Sequence, residues 1–240
     1  MAKNGTLGLP AVDMVLRTNE AASNAASHAG QKVVNLSITE AQWPLFQKAV
    51  AVTVEVRTDD GSGAGVVLSP DGLILTAYHV IRGAKWVRVR RCSLHRRDKR
   101  IVRRGSYLAD VIVIDRRADI ALLKLRRPPK GLRGCRLGDA NALSLKAPLY
   151  RVGRDKVPLA AGYLMAVGKF KGVNEFEIGM PNAPGASGGP VFDEQGRVVA
   201  IALRGNFDTK LPPSSFAIPI NTVATRLFRD AAVRKLLGEQ

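Results

Sequence analysis

Ser187 lies in Pro184-Gly185-Ala186-Ser187-Gly188-Gly189-Pro190, a hydroxyl set between glycines. A serine attacks a carbonyl when a tight turn exposes its oxygen and backbone amides face the oxygen that becomes negative. Glycine accepts positive φ and lets another group approach the backbone closely, so glycines on both sides of this serine have a mechanical purpose. The amides of Gly185 and Ser187 are the pair placed to hold an oxyanion. The plain alternative is a flexible Gly/Pro turn.

Such a serine needs a base, and the chain has three histidines: His28, His79 and His95. His28 lies in a small polar run, Asn24-Ala-Ala-Ser-His28-Ala-Gly, with no apolar period to fix it. His95 stands among Arg96, Arg97, Lys99 and Arg100, whose charges oppose the imidazolium a base must become. His79 closes the apolar run Gly72-Leu-Ile-Leu-Thr-Ala-Tyr-His79 and is the base the sequence favours, at the rim of a sheet. The third requirement is a buried carboxylate that orients the imidazole. Asp119 opens Asp119-Ile-Ala-Leu-Leu-Lys-Leu, where an unpaired charge is expensive. Asp110 and Asp115 flank Val111-Ile-Val-Ile and compete with it, although each reads more simply as a strand-end residue.

Together these residues resemble the trypsin-like serine peptidases, and within them the HtrA (Deg) branch. The segments that carry the resemblance are Gly61-Ser-Gly-Ala-Gly-Val-Val-Leu-Ser-Pro-Asp-Gly-Leu-Ile-Leu-Thr-Ala-Tyr-His79-Val, Ala118-Asp119-Ile-Ala-Leu-Leu-Lys-Leu and Leu137-Gly-Asp-Ala. Pro184-Gly-Ala-Ser187-Gly-Gly-Pro-Val and Ser215-Phe-Ala-Ile-Pro-Ile complete the order. The resemblance implies an all-β protein of two six-stranded antiparallel β-barrels, with His79 and Asp119 from the first meeting Ser187 from the second. It implies acyl transfer to Ser187 from a protein or peptide substrate, chemistry that requires no metal or cofactor. By family position the specificity pocket is walled near Ile178 to Asn182 and Leu203 to Gly205, so that Pro181, Leu203, Arg204 and Gly205 face substrate. Pro181 at its base is not acidic, which predicts a small or medium apolar residue before the cut, while Arg204 at the rim offers a competing preference for acidic substrates. Two departures stand out: Ala186 replaces the aspartate that pairs with a new N-terminus in digestive members, and Val80 replaces a disulfide cysteine. The family's common PDZ domain is not expected between here and Gln240.

Around these residues the chain reads as an N-terminal extension over 1–38, a first barrel over 39–130, a connection over 131–148, a second barrel over 149–220 and a C-terminal helix over 221–240. The extension is rich in Asn, Ala, Ser and Gly. Thr39 to Lys48 predicts a short capped helix, and Val50-Ala-Val-Thr-Val-Glu-Val alternates like a first strand. Lys85 to Val89 and Val111 to Ile114 predict strands, as do apolar runs near 149–153, 159–168 and 198–203, the last following an Asp193-Glu-Gln-Gly196 turn. Asn221 or Thr222 is expected to cap the final helix, whose apolar face is Val223, Leu227, Ala231 and Leu236 or Leu237. Gly185-Ala-Ser187-Gly-Gly189 also satisfies the Gly-x-Ser-x-Gly elbow of lipase-type hydrolases, but the chain lacks their alternating βα pattern.

Composition limits the remaining classes. No apolar run approaches the roughly 18 residues of a membrane span, and Pro10, Asp13 and Arg17 interrupt any secretory h-region near the start. With Cys92 and Cys135 as its two cysteines, the chain is expected in a reducing, intracellular compartment, a single bridge being the alternative. The formal net charge is +17, and eleven Lys/Arg against one acid fall between Arg82 and Arg104. Arg88, Arg90, Arg91, Arg96, Arg97 and Arg100 therefore form a candidate face for nucleic acid or another polyanion. A catalytically silent binding protein on the same fold is the reading that face would support, and a solvated basic loop is the simpler one.

Overall fold

The computed structural model describes residues 38–98, 100–153, 159–180, 183–205 and 214–228. Its twelve strands close into two barrels of six. The first contains β1 (Thr53–Arg57), β2 (Ser62–Ser69), β3 (Leu73–Ala77), β4 (Val87–Leu94), β5 (Ile101–Asp115) and β6 (Ile120–Leu125), in spatial order β1-β2-β3-β6-β5-β4. The second contains β7 (Pro148–Val152), β8 (Leu159–Phe170), β9 (Val173–Ile178), β10 (Pro190–Phe192), β11 (Val198–Gly205) and β12 (Ser215–Pro219), in order β10-β11-β12-β9-β8-β7. All the pairings are antiparallel. Closure leaves no free sheet edge.

Alternation along the strands divides the core. Val54, Val56, Val67, Ile74, Val89, Ala121 and Leu123 fill the first barrel. The opposite faces of the same strands, with Val66, Leu73, Leu75, Ile120 and Leu122, join a second cluster that continues through the other barrel as Leu149, Leu164, Phe176, Ile178, Phe192 and Ile201. β3 is buried on both faces, which is why Leu73-Ile-Leu-Thr-Ala reads as an unbroken apolar run.

Helix α1 (Trp43–Val52) runs four residues past the predicted end at Lys48 and takes Val50, Ala51 and Val52 from the expected first strand. Its buried residues Leu45, Phe46, Ala49 and Val50 make one helical face, and that packing outweighs the β preference of the valines. The predicted cap acts one turn earlier: the Gln42 amide donates to Thr39 Oγ1 at 3.3 Å and the Thr39 amide to Gln42 Oε1 at 3.2 Å. A single-turn helix, α2 (Tyr78–Ile81), follows β3. The last helix, α3 (Ile220–Leu227), has Pro219 at its cap position rather than Asn221 or Thr222. Asn221 instead accepts from the Ala140 amide at 2.7 Å and donates to Asp139 Oδ1 at 2.9 Å, tying this helix to the connection between barrels. The predicted extension up to residue 37, Pro181, and the helix positions Ala231, Leu236 and Leu237 lie outside the described residues.

Candidate active site

His79 is delivered by the turn of α2, where β3 leaves the sheet. Asp119 stands in the turn between β5 and β6 with φ 55°, a left-handed backbone uncommon outside glycine. That conformation lets one residue grip the α2 turn three times. The Asp119 carbonyl accepts from the Tyr78 amide at 3.0 Å, Oδ1 accepts from the His79 amide at 2.8 Å, and Oδ2 lies 2.6 Å from His79 Nδ1. The carboxylate thereby selects the tautomer with its proton on Nδ1, leaving Nε2 with a lone pair. Both side chains remain partly open, at 39% for His79 and 32% for Asp119, so the expected burial of the carboxylate is only partial.

The competing carboxylates are engaged elsewhere. Asp110 binds Arg126 at 2.8 Å, and Asp115 binds Arg226 at 2.6 Å while accepting from the Ala118 amide. His95 pairs with Asp98 at 2.8 Å in the β4–β5 turn. His28 is outside the described residues.

Ser187 comes from the connection between β9 and β10, and the glycines around it are required by contact with the first barrel. Gly188 has φ 83°, and a Cβ there would strike the Thr76 hydroxyl, the Ala64 carbonyl and the Ala77 amide. Ala77 is two residues before His79. Across the gap, a Cβ on Gly63 would stand 2.8 Å from the Ser187 carbonyl and equally close to Val80. The Ala64 amide donates to the Ser187 carbonyl at 2.8 Å, joining the barrels at this point. The serine loop is thus pressed against the segment that carries His79.

The amides of the loop alternate in use. Those of Ala186, Gly188 and Gly189 donate to the carbonyls of Ala183, Ala202 and Ala186 at 3.0, 2.7 and 3.0 Å. Those of Gly185 (φ 79°) and Ser187 donate to no carbonyl among the described residues. Two such amides, the serine's own and that of the residue two before it, are what a developing oxyanion requires. The Ser187 hydroxyl itself donates to the Leu203 carbonyl at 2.8 Å, and among the described residues it has no hydrogen bond to His79.

The predicted pocket residues fall at the end of β11. Leu203 is buried in the same apolar cluster as Ile178 and Met180, and Gly205 pairs with Ser215. Arg204 is partly exposed but is not free at the rim. Its guanidinium forms a two-pronged ion pair with the buried Glu175, one prong at 2.7 Å, and lies 4.2 and 4.4 Å from the ring centroids of Phe170 and Phe216. Periodicity gave no sign of this clamp, because its partners lie on three different strands. Thr76 and Gly63 were likewise not singled out, and the one signal for Thr76 was a hydroxyl inside an otherwise apolar run just before the histidine.

The basic residues divide as sharply. Arg90 pairs with Glu55 at 3.3 Å and reaches the Arg103 carbonyl, Arg100 binds Asp98 at 3.0 Å, and Arg88 lies 5.7 Å from the Trp86 ring centroid. Arg96 and Arg97 are exposed in the β4–β5 turn.

The sequence profile of the trypsin-like peptidase domain matches residues 63–201, from Gly63 in β2 through the serine loop into β11. The chain belongs to the trypsin-like peptidase family. Over 177 residues it is 31% identical to a probable periplasmic DegP-like serine endoprotease of Pseudomonas savastanoi pv. phaseolicola, covering 69% of this chain and 34% of that protein. It is 28% identical over 193 residues to the chloroplastic Protease Do-like 1 of Arabidopsis thaliana, covering 72% and 40% of the two chains. This trypsin-like chain therefore spans between a third and two fifths of the length of these two relatives. In fold it is similar to Deg5, with a TM-score of 0.63 at 23% identity over 84% of this chain and 97% of that one. The HtrA-type protease AlgW with a tripeptide also gives a TM-score of 0.63, at 22% identity over 80% and 63%.

Proposed function

We propose that the protein is a serine endopeptidase in which Ser187 is the nucleophile, His79 the base and Asp119 the residue that orients it. The observation that carries this reading is the pair of amides at Gly185 and Ser187, unused among the described residues, on a loop pressed against the His79 segment. In the first half-reaction the Ser187 hydroxyl leaves the Leu203 carbonyl and turns to His79 Nε2, which takes its proton as Oγ bonds to the peptide carbonyl carbon. The two amides hold the oxyanion, and His79 returns the proton to the departing amine as the C–N bond breaks. Water, deprotonated by the same imidazole, then releases the acyl group and restores the serine.

Substrate choice follows from the wall. Ile178, Met180 and Leu203 are buried apolar side chains, which suits a small or medium apolar residue before the cut. The pairing of Arg204 with Glu175 compensates the charge that would have drawn acidic residues. An unstructured peptide library digested by the protein and read by mass spectrometry tests this. Cleavage after Ala, Val or Leu that disappears in Ser187→Ala is expected, while equal cleavage after Arg would overturn the assignment of the pocket.

A further inference from the structure

Away from the cleft, a cavity of about 310 Å³ opens between α1, the β4–β5 ribbon and the connection after β6. Arg91, Arg104 and Arg133 line it, with Ser93 and the apolar Val50, Ala51, Leu94 and Leu132, and no carboxylate contributes to its wall. None of its lining residues belongs to the loops of His79, Asp119 or Ser187.

The register explains how the arginines converge. The β4–β5 pairing shifts between Val89 and Arg91, and Gly105 with φ 71° lies in the extra length opposite, so that Arg91 faces Arg104 directly across the ladder. Like charges at directly opposed positions destabilise a sheet. The neighbouring Arg90 and Arg103 both meet Glu55, but among the described residues Arg91, Arg104 and Arg133 pair with no carboxylate. The Arg104 Nε–H is fixed by the Ser93 hydroxyl at 3.2 Å. Among the described residues the buried Arg91 Nε has no hydrogen-bond partner, so the Arg91 side chain is not tied down on the protein side through that donor.

We propose that this cavity is a binding site for a small phosphomonoester or free phosphate, distinct from the peptide-cleaving centre. A doubly charged oxyanion answers both features at once. It compensates the opposed arginines and takes the planar, forked donors that guanidinium groups present. The apolar floor of Val50, Ala51, Leu94 and Leu132 leaves room for a compact body attached to the phosphate.

Calorimetric titration of the full chain with phenyl phosphate, inorganic phosphate and benzoate, in 150 mM salt, tests the site. One saturable site per chain is expected, with benzoate at least tenfold weaker because it is a single charge. Arg91→Gln and the exposed Arg133→Gln each weaken phenyl phosphate at least tenfold, whereas Lys169→Gln, which removes the same charge from β8, changes it less than twofold. Tighter binding of phenyl phosphate than of inorganic phosphate assigns the site to phosphomonoesters, and the reverse assigns it to the free ion. Thermal melting of each variant establishes that it is folded, and Arg133→Gln decides the matter if Arg91→Gln is not. Non-saturable binding, or equal weakening by Lys169→Gln, would overturn the proposal by showing only the diffuse field of a basic protein.

Discussion

Asp119 shows how much one backbone angle can do. With φ at 55° it holds Tyr78 through its carbonyl and His79 through both carboxylate oxygens. Asn in its place keeps the size but no longer selects the tautomer, so Asp119→Asn is expected to fold and to lose on the order of 10⁴-fold in kcat, measured on a peptide the wild type cleaves. Gly188 is constrained more severely, because its φ of 83° and the atoms of Ala64, Thr76 and Ala77 both exclude a side chain. Gly188→Ala should cost about 2–5 kcal/mol, read from the shift of its urea midpoint. A midpoint unchanged from wild type would mean that the barrels do not meet there. Cys92 and Cys135 are not joined to each other, so the alternative of a bridge is not realised. Burial pushes the Cys135 thiol up to about 12. Native protein at pH 8 should therefore leave Cys135 unalkylated by iodoacetamide for as long as it stays folded.

At the scale of elements, the β5–β6 turn that carries Asp119 is itself anchored from the second barrel's side. Arg226 on α3 binds Asp115, and Arg117 donates to the Lys171 carbonyl at the tip of the β8–β9 hairpin at 2.7 Å. Burial alone would raise the Asp115 pKa, but the Arg226 hydrogen bond, the Ala118 and Arg117 amides and the Arg226 charge together hold it below the usual carboxylate range. A carboxylate depressed in this way stabilises the fold above its unfolded pKa and loses that contribution as pH falls through the native one. Arg226→Met should thus cost about 0.5–1 kcal/mol at pH 7 and nothing near pH 2, with denaturant midpoints at the two pH values as the check. An equal loss at both would assign the effect to packing. The sequence made the strands and the His, Asp and Ser carriers legible because apolar alternation and glycine turns are local signals. It hid the ends of elements and the ties between them. The Val50–Val52 segment went to the helix through packing, and Asn221 reached the connection rather than its own helix end. Arg204 was visible as a charge near the pocket, but its partners Glu175, Phe170 and Phe216 come together only when β8, β9, β11 and β12 close into a barrel. The arginine-rich half of β5 was missed because charged residues obscure a strand's period.

At the scale of the whole molecule, one apolar cluster runs from the outward faces of β2, β3 and β6 into the interior of the second barrel. The barrels share a core, so thermal unfolding is expected as one cooperative transition by both fluorescence and circular dichroism, and two separated transitions would contradict that continuity. The proposed nucleophile lies at the same junction, since the serine loop of one barrel is bonded to β2 of the other. The proposed mechanism requires Ser187 to be an activated nucleophile at that junction. Intact-mass analysis after treatment with a serine-directed fluorophosphonate is the decisive measurement. One added phosphonyl group is expected on the wild type, none on Ser187→Ala and strongly slowed labelling of His79→Ala. A folded wild-type protein that takes up no label, or a Ser187→Ala variant that labels equally well, would contradict it.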